Sequence, residues 1–210
     1  MTAREWAGRV HPAGPWEPDP GPMPVPGGAG FGDMIDALRE LQDTITGAAP
    51  PPHLVEQATR ALREVSAALK PHTVPEREQI TGHRMDLRGR GQTMAPAFVP
   101  DEWDDSRVSG RVTFGRHYLG GNGAVHGGAV PLLFDEVLGR LANSGRRVSR
   151  TAYLHVNFRR ITPVGVELRL DAKFEREEGR KRFLTAALYD GGHVTADAEG
   201  LFVALRPGQP

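Results

Sequence analysis

Apolar positions along the chain repeat with two different periods. Between residues 34 and 69 they recur at helical spacing: Met34, Leu38, Leu41 and Ile45, then Leu54, Ala58, Leu62, Val65 and Leu69. Intervals of three and four residues put each set on one helix face. Asp33 stands where an N-cap belongs, and Pro71 stops the second pattern, so the reading is an αα-hairpin covering one side of the main domain. From Val108 onward the period falls to two. Val108, Gly110, Val112 and Phe114 alternate with polar neighbours, as do Ala152, Leu154, Val156 and Phe158, and then Leu168, Leu170, Ala172 and Phe174. Arg182 to Tyr189 and Val194 to Leu205 complete the strand series, with tight turns at "EEGR" and "DGGH" and a short first strand at "MAPAFVP".

One helical segment, Gly128 to Asn143, interrupts the strands. Val130, Leu132, Leu133, Phe134, Val137, Leu138 and Leu141 point in nearly every direction, which marks an enclosed helix. The predicted fold class is therefore α+β, one long helix wrapped by an antiparallel sheet of about five to six strands. Pro131 is tolerable if the helix starts near Gly127 or Gly128, because the first helical N–H groups have no intrahelical acceptor to lose. Within this apolar segment stand Asp135 and Glu136. A carboxylate in such surroundings is costly when charged and is seldom kept without a partner or a task. Glu136, about 100° further round the helix, is assigned to a solvated rim, and Asp135 to chemistry.

Gly127 and Gly128 present backbone N–H groups at the positive end of the helix dipole, with no side chain to block close approach, which outlines an oxyanion hole. The eight residues from Gly127 to Asp135 span about 12 Å of helix, too far for both to touch one reacting carbonyl. If both act, they come from different copies of the chain, and the expected assembly is a homodimer with shared sites, with a dimer of dimers left open.

Composition narrows the field. The 210 residues carry 26 Lys plus Arg and 26 Asp plus Glu, so no overall positive field recruits nucleic acid or an anionic membrane. Cysteine is absent, which excludes disulfides, thiolate metal sites and a cysteine nucleophile. His117 and His126 are nine residues apart with no third ligand in view, so no metal is expected. No stretch has the length of a membrane span, and the amino terminus lacks a signal-peptide core, so a cytoplasmic protein is expected. Residues 1–32 form a proline- and glycine-rich arm, 33–81 the helical extension, and 82–207 the main domain.

The blocks "YLGGNGAVHGGAVPLLFDEVLG", "RTAYLHVNFRRITPVG", "EREEGRKRF" and "AEGLFVAL", in this order, resemble the hotdog-fold acyl-CoA thioesterases, most closely the branch of the carboxyl-terminal modulator protein and more broadly the PaaI type. The resemblance covers roughly residues 82–207. It implies a hydrolase acting on an acyl-CoA, without a cofactor, CoA being part of the substrate; an apolar tunnel between central helices would suit a medium- or long-chain acyl group, and aryl-acyl groups fit the same logic. It also implies that Asp135 is the catalytic carboxylate, either as general base or as nucleophile. The Gly127 N–H then polarises the thioester carbonyl beside Gly128, His126 positions that loop, and Thr151 helps place the water. Asn157, Arg159, Arg180 and Lys181 fall where this branch contacts CoA. The broader family often carries an amide side chain six residues before the histidine, where this chain has Gly120. The competing reading is a non-catalytic acyl-CoA or protein-binding module using the same cleft. Enoyl-CoA hydration on the same fold lacks its aspartate and histidine in the expected order.

Overall fold

The computed structural model describes residues 26–209. The proline-rich arm lies for the most part outside the described residues. Helix α1 (Phe31–Gly47) begins two residues before the expected Asp33 cap, with Gly30 at the N-cap and no side-chain cap. The Phe31 ring anchors this earlier start. It packs so tightly on Gly27 that a Cβ there would come within 2.8 Å, and it also lies beside Gly91. Asp33 instead sits in the first turn, where a negative charge suits the helix dipole.

Helix α2 (Pro52–Leu69) follows, ending in a short 3-10 turn at Lys70–His72. The expected covering hairpin is met by α1 alone, and not through the predicted face, since Met34, Leu38 and Ile45 are exposed. Ile35 of α1 is buried, whereas α2 buries no residue and leaves Leu54, Val55, Leu62, Val65 and Leu69 exposed. The reason is local: "AAPPP" between the helices is extended chain, its last proline opening α2, and it carries α2 away from the domain rather than back over it.

The main sheet has six antiparallel strands in the order β1-β2-β6-β7-β8-β5, where β1 is Val99–Trp103, β2 Arg107–Thr113, β5 Ser149–Phe158, β6 Glu167–Glu178, β7 Lys181–Asp190 and β8 His193–Ala204. The first strand starts within "MAPAFVP", at Val99, with Phe98 buried just ahead of it. Two further short strands, β3 (Leu119–Gly121) and β4 (Ala124–Val125), form a small hairpin. Its turn is Asn122-Gly123, both at positive φ (50° and 74°), as a type I′ turn requires. Asn122 is thus spent on the turn.

Helix α3 (Ala129–Asn143), with Gly128 at its N-cap, lies in the concave face of the sheet. Leu133, Phe134, Leu138 and Leu141 are fully buried against Leu168, Leu170, Leu184, Leu188 and Phe202. Its carboxyl end is held by Arg182, 3% exposed, whose Nη1 donates to the carbonyls of Ala142 (2.9 Å) and Arg147 (2.6 Å). That cation satisfies a carbonyl the helix cannot and complements the dipole.

Candidate active site

Asp135 and Glu136 face different surroundings. Thr151 Oγ1 donates to Asp135 Oδ1 at 2.8 Å, bringing together two residues sixteen apart in sequence. A β-bulge makes this possible. The β5–β8 register shifts between Thr151 and Tyr153. Leu154, Val156 and Phe158 pair with Gly200, Ala198 and Ala196 on the helix side of the sheet, and simple alternation would send Thr151 to the opposite side. The extra residue, Ala152, returns Thr151 to the helix side opposite buried Phe202.

Glu136 is not at a solvated rim. Its side chain is 12% exposed and forms a two-pronged ion pair with Arg90, at 2.6 Å to Nε and 2.7 Å to Nη2. Arg90 reaches it from a backbone at φ 58°, between Gly89 (φ 55°) and Gly91 (φ 66°). A side chain at such φ is uncommon, and this one ties the connector before β1 to α3. Arg140 lies half-buried over the Trp103 ring, 4.6 Å from its centroid. Burial pushes its pKa down to about 10, against the opposing charge of Glu136.

At the start of α3, His126 Nδ1 accepts the Gly128 N–H at 3.0 Å, so the neutral ring carries its proton on Nε2. The Ala129 N–H goes to the His126 carbonyl at 2.9 Å. The Gly127 N–H meets no acceptor among the described residues. A Cβ at Gly127 would find only the Phe158 ring, 3.9 Å away. Gly120 presses on His126, where a Cβ would stand 2.8 Å from its Cα. An asparagine or glutamine at 120 therefore does not fit this loop, which accounts for the missing amide.

The expected CoA contacts separate into two places. Asn157 Nδ2 (2.8 Å) and Arg159 Nε (2.5 Å) both donate to Asp197 of β8, on the sheet face away from α3. Arg159, with Asn157 helping, holds the Asp197 carboxyl below its ordinary pKa. Arg180 is in the two-residue loop between β6 and β7, with Lys181 opening β7 opposite Val203. Six residues of β8 separate Asp197 from Val203, about 20 Å. Within one chain, then, Asn157 and Arg159 belong to the Gly127 end, and Arg180 and Lys181 to the Thr151–Asp135 end. Sequence reasoning missed Asp197 and Arg90. The first needs the β5–β8 register, and the second a left-handed backbone that nothing in "RGRG" specifies. No group of three His, Cys, Asp or Glu side chains suited to a metal occurs among the described residues, and no helix there is long and apolar enough to cross a membrane.

A helix cradled in one antiparallel sheet, with an open glycine amide at its start and a threonine-held carboxylate two turns on, is the hotdog arrangement. The family model "Thioesterase superfamily" matches residues 122–196. A crystal structure of a thioesterase superfamily protein is 31% identical, covering 85% of this chain and 96% of that one, with a TM-score of 0.72. The chain belongs to the thioesterase superfamily. Among curated relatives, acyl-coenzyme A thioesterase THEM4 of Bos taurus is 28% identical over 63% of this chain and 56% of that protein. The Mus musculus THEM4 is 31% identical over 46% and 42%. The chain thus spans about half the length of the curated relatives it matches.

Proposed function

We propose that this protein hydrolyses the thioester of a medium- or long-chain acyl-CoA to the free acid and CoA, in sites shared between two copies of the chain. The observation that carries the reading is the placement of the two halves of a site at opposite ends of a free strand. Asp135 is bonded to Thr151 near the start of β5, and the open Gly127 amide lies beside Phe158 at its end. Strand β5 is an edge of the sheet and largely exposed. Antiparallel pairing of two β5 strands about their midpoint, near Leu154 and His155, sets Thr151 of one copy beside the partner's Phe158. Asp135 is then brought to the partner's Gly127.

In that site the thioester carbonyl oxygen takes the Gly127 N–H, which strengthens its hold as negative charge develops. Thr151 occupies Oδ1 of Asp135 and leaves Oδ2 to act. As general base, Asp135 takes a proton from water while the water oxygen adds to the carbonyl carbon. As nucleophile, it adds itself to give a mixed anhydride that water then opens. Either way the C–S bond breaks, the CoA sulfur leaves as thiolate and is protonated, and the acid is released. The names of the curated relatives support the substrate class.

The test is hydrolysis of a series of acyl-CoA chain lengths by wild type and Asp135→Asn. The expected loss in the variant is about 100-fold or more, as for removal of a general base. Unchanged turnover in a folded variant would remove Asp135 from the reaction.

A further inference from the structure

The turn that carries Gly127 is braced from outside the sheet by α1. Asp43, in the carboxyl-terminal half of α1, accepts the His117 N–H at 2.8 Å across 74 residues of sequence. Its carboxylate rests on Gly115, where a Cβ would fall on the carboxylate oxygens. His117 belongs to the short 3-10 turn Arg116–Tyr118. The Tyr118 carbonyl then accepts the His126 N–H at 2.7 Å, and His126 Nδ1 takes the Gly128 N–H. Gly127 lies between these last two links. Beyond Asp43, every link to His126 runs through backbone, so displacement of the 3-10 turn has no flexible side chain in which to dissipate. Asp43, Gly115, His117 and Tyr118 line one wall of a cleft of about 560 Å³ between α1 and the sheet, with Asp36 and Arg39 also in its lining. Arg116 of the same turn packs on Gly47 at the end of α1, and Asp43 is the residue of the helix whose side chain hydrogen-bonds the turn's backbone.

We propose that Asp43 is a positioning residue for the Gly127 amide, acting through His117, Tyr118 and His126; this rests on the reading of Gly127 as the oxyanion donor. The N-terminal helix thereby tunes a site to which it contributes no reacting group. A role confined to fastening α1 to the domain would be shared by other polar contacts of the same helix. Asp36 is one: it pairs with Arg39 and Arg88 and does not touch the 115–118 segment.

The experiment uses the full chain and two readouts, the backbone amide resonance of Gly127 without substrate and the kinetics of acyl-CoA hydrolysis. Asp43→Ala and Gly115→Ala should both shift the Gly127 resonance and lower kcat about ten-fold with little change in KM, a part of the roughly 10²–10³-fold cost of losing an oxyanion donor outright. Asp43→Asn, which keeps an acceptor oxygen, should restore both, and Asp36→Ala should change neither. An unmoved Gly127 resonance in Asp43→Ala or Gly115→Ala overturns the proposal, as does an equal shift in Asp36→Ala or failure of Asp43→Asn to restore. The two disrupting variants attack the contact from opposite sides, so if one fails to fold the other decides. Because the resonance is read without substrate, absence of hydrolysis in wild type would overturn the functional reading while the brace is judged separately.

Discussion

Shared sites make a quantitative prediction for mixed dimers. Asp135→Asn removes the carboxylate from every site of a homodimer. Gly127→Leu covers the amide in every site, and its Cβ is accommodated, since only the Phe158 ring lies near, at 3.9 Å. In a mixed dimer with two-fold symmetry, one site receives both lesions and the other receives neither. With equal amounts and free exchange, half of the dimers are mixed and half of their sites are whole, so activity should recover to about one quarter of wild type. The alternative, a site built within one chain, has to span the 12 Å or so of helix between Gly127 and Asp135 and predicts no recovery. Released CoA can be read with a thiol-reactive dye, because the chain contains no cysteine to react. Exchange is verified by co-purification of differently tagged chains. Verified exchange with no activity above the two parents refutes the shared site.

Other consequences are local. Glu136→Gln leaves Arg90, whose side chain is 28% exposed, without its anion; the expected loss is about 3 kcal/mol in urea unfolding, the lower end for breaking a buried pair, and a loss below about 1 kcal/mol would show that the pair is solvated. Arg159→Ala should raise KM for CoA esters more than for short non-CoA thioesters, and Asp197→Asn, which releases Arg159, should lower KM for CoA esters; equal effects on both substrate types would remove Arg159 from CoA binding. Asp104 caps the β1–β2 turn through Ser106 Oγ, the Ser106 N–H and the Arg107 N–H, bonds that hold its pKa at about 2 against 3.8. Because the folded value is the lower one, its contribution is present above about pH 4 and is lost as pH falls towards 2. Wild type and Asp104→Ala should therefore differ in thermal midpoint at neutral pH and converge at pH 2, and a constant gap would contradict the assignment.

What was legible in the chain follows from which forces are local. The period-two strands and the all-round apolar helix are written in burial alone, and α3 begins at Ala129, with Gly128 as its N-cap, where the glycines and Pro131 place its start. Asp135 is legible from its apolar surroundings, whereas Thr151 enters only through family resemblance, because the bulge at Ala152 that turns it inward has no composition signal. The "NG" at 122–123 is itself a local hairpin signal. Glu136 was misplaced because its partner lies 46 residues away on a strained backbone. The same limit applies to α1 and α2. Helical spacing specifies a face, and nothing in that spacing says that Asp43 meets His117 while α2 stands clear of the domain.

The separation of the expected CoA contacts bears on the proposed assembly. In one chain, Arg180 and Lys181 stand about 20 Å along β8 from Asp197 and its donors Asn157 and Arg159, and one CoA could not be gripped compactly by all four. Antiparallel pairing of β5 reverses the partner end for end. The Lys181 end of one copy, which already holds Asp135 and Thr151, is then set against the partner's Asn157–Arg159 end, which holds the amide. In the proposed pairing the expected CoA contacts thus gather at the same end of the paired strands as one shared site, with Asn157 and Arg159 on the outer sheet face, and the division that looks like a defect in the single chain becomes an argument for two. It also fixes the direction of pairing. A parallel arrangement would put two carboxylates together at one end and two amides at the other, concentrating negative charge where an anionic substrate must bind and leaving no site with both halves of the chemistry.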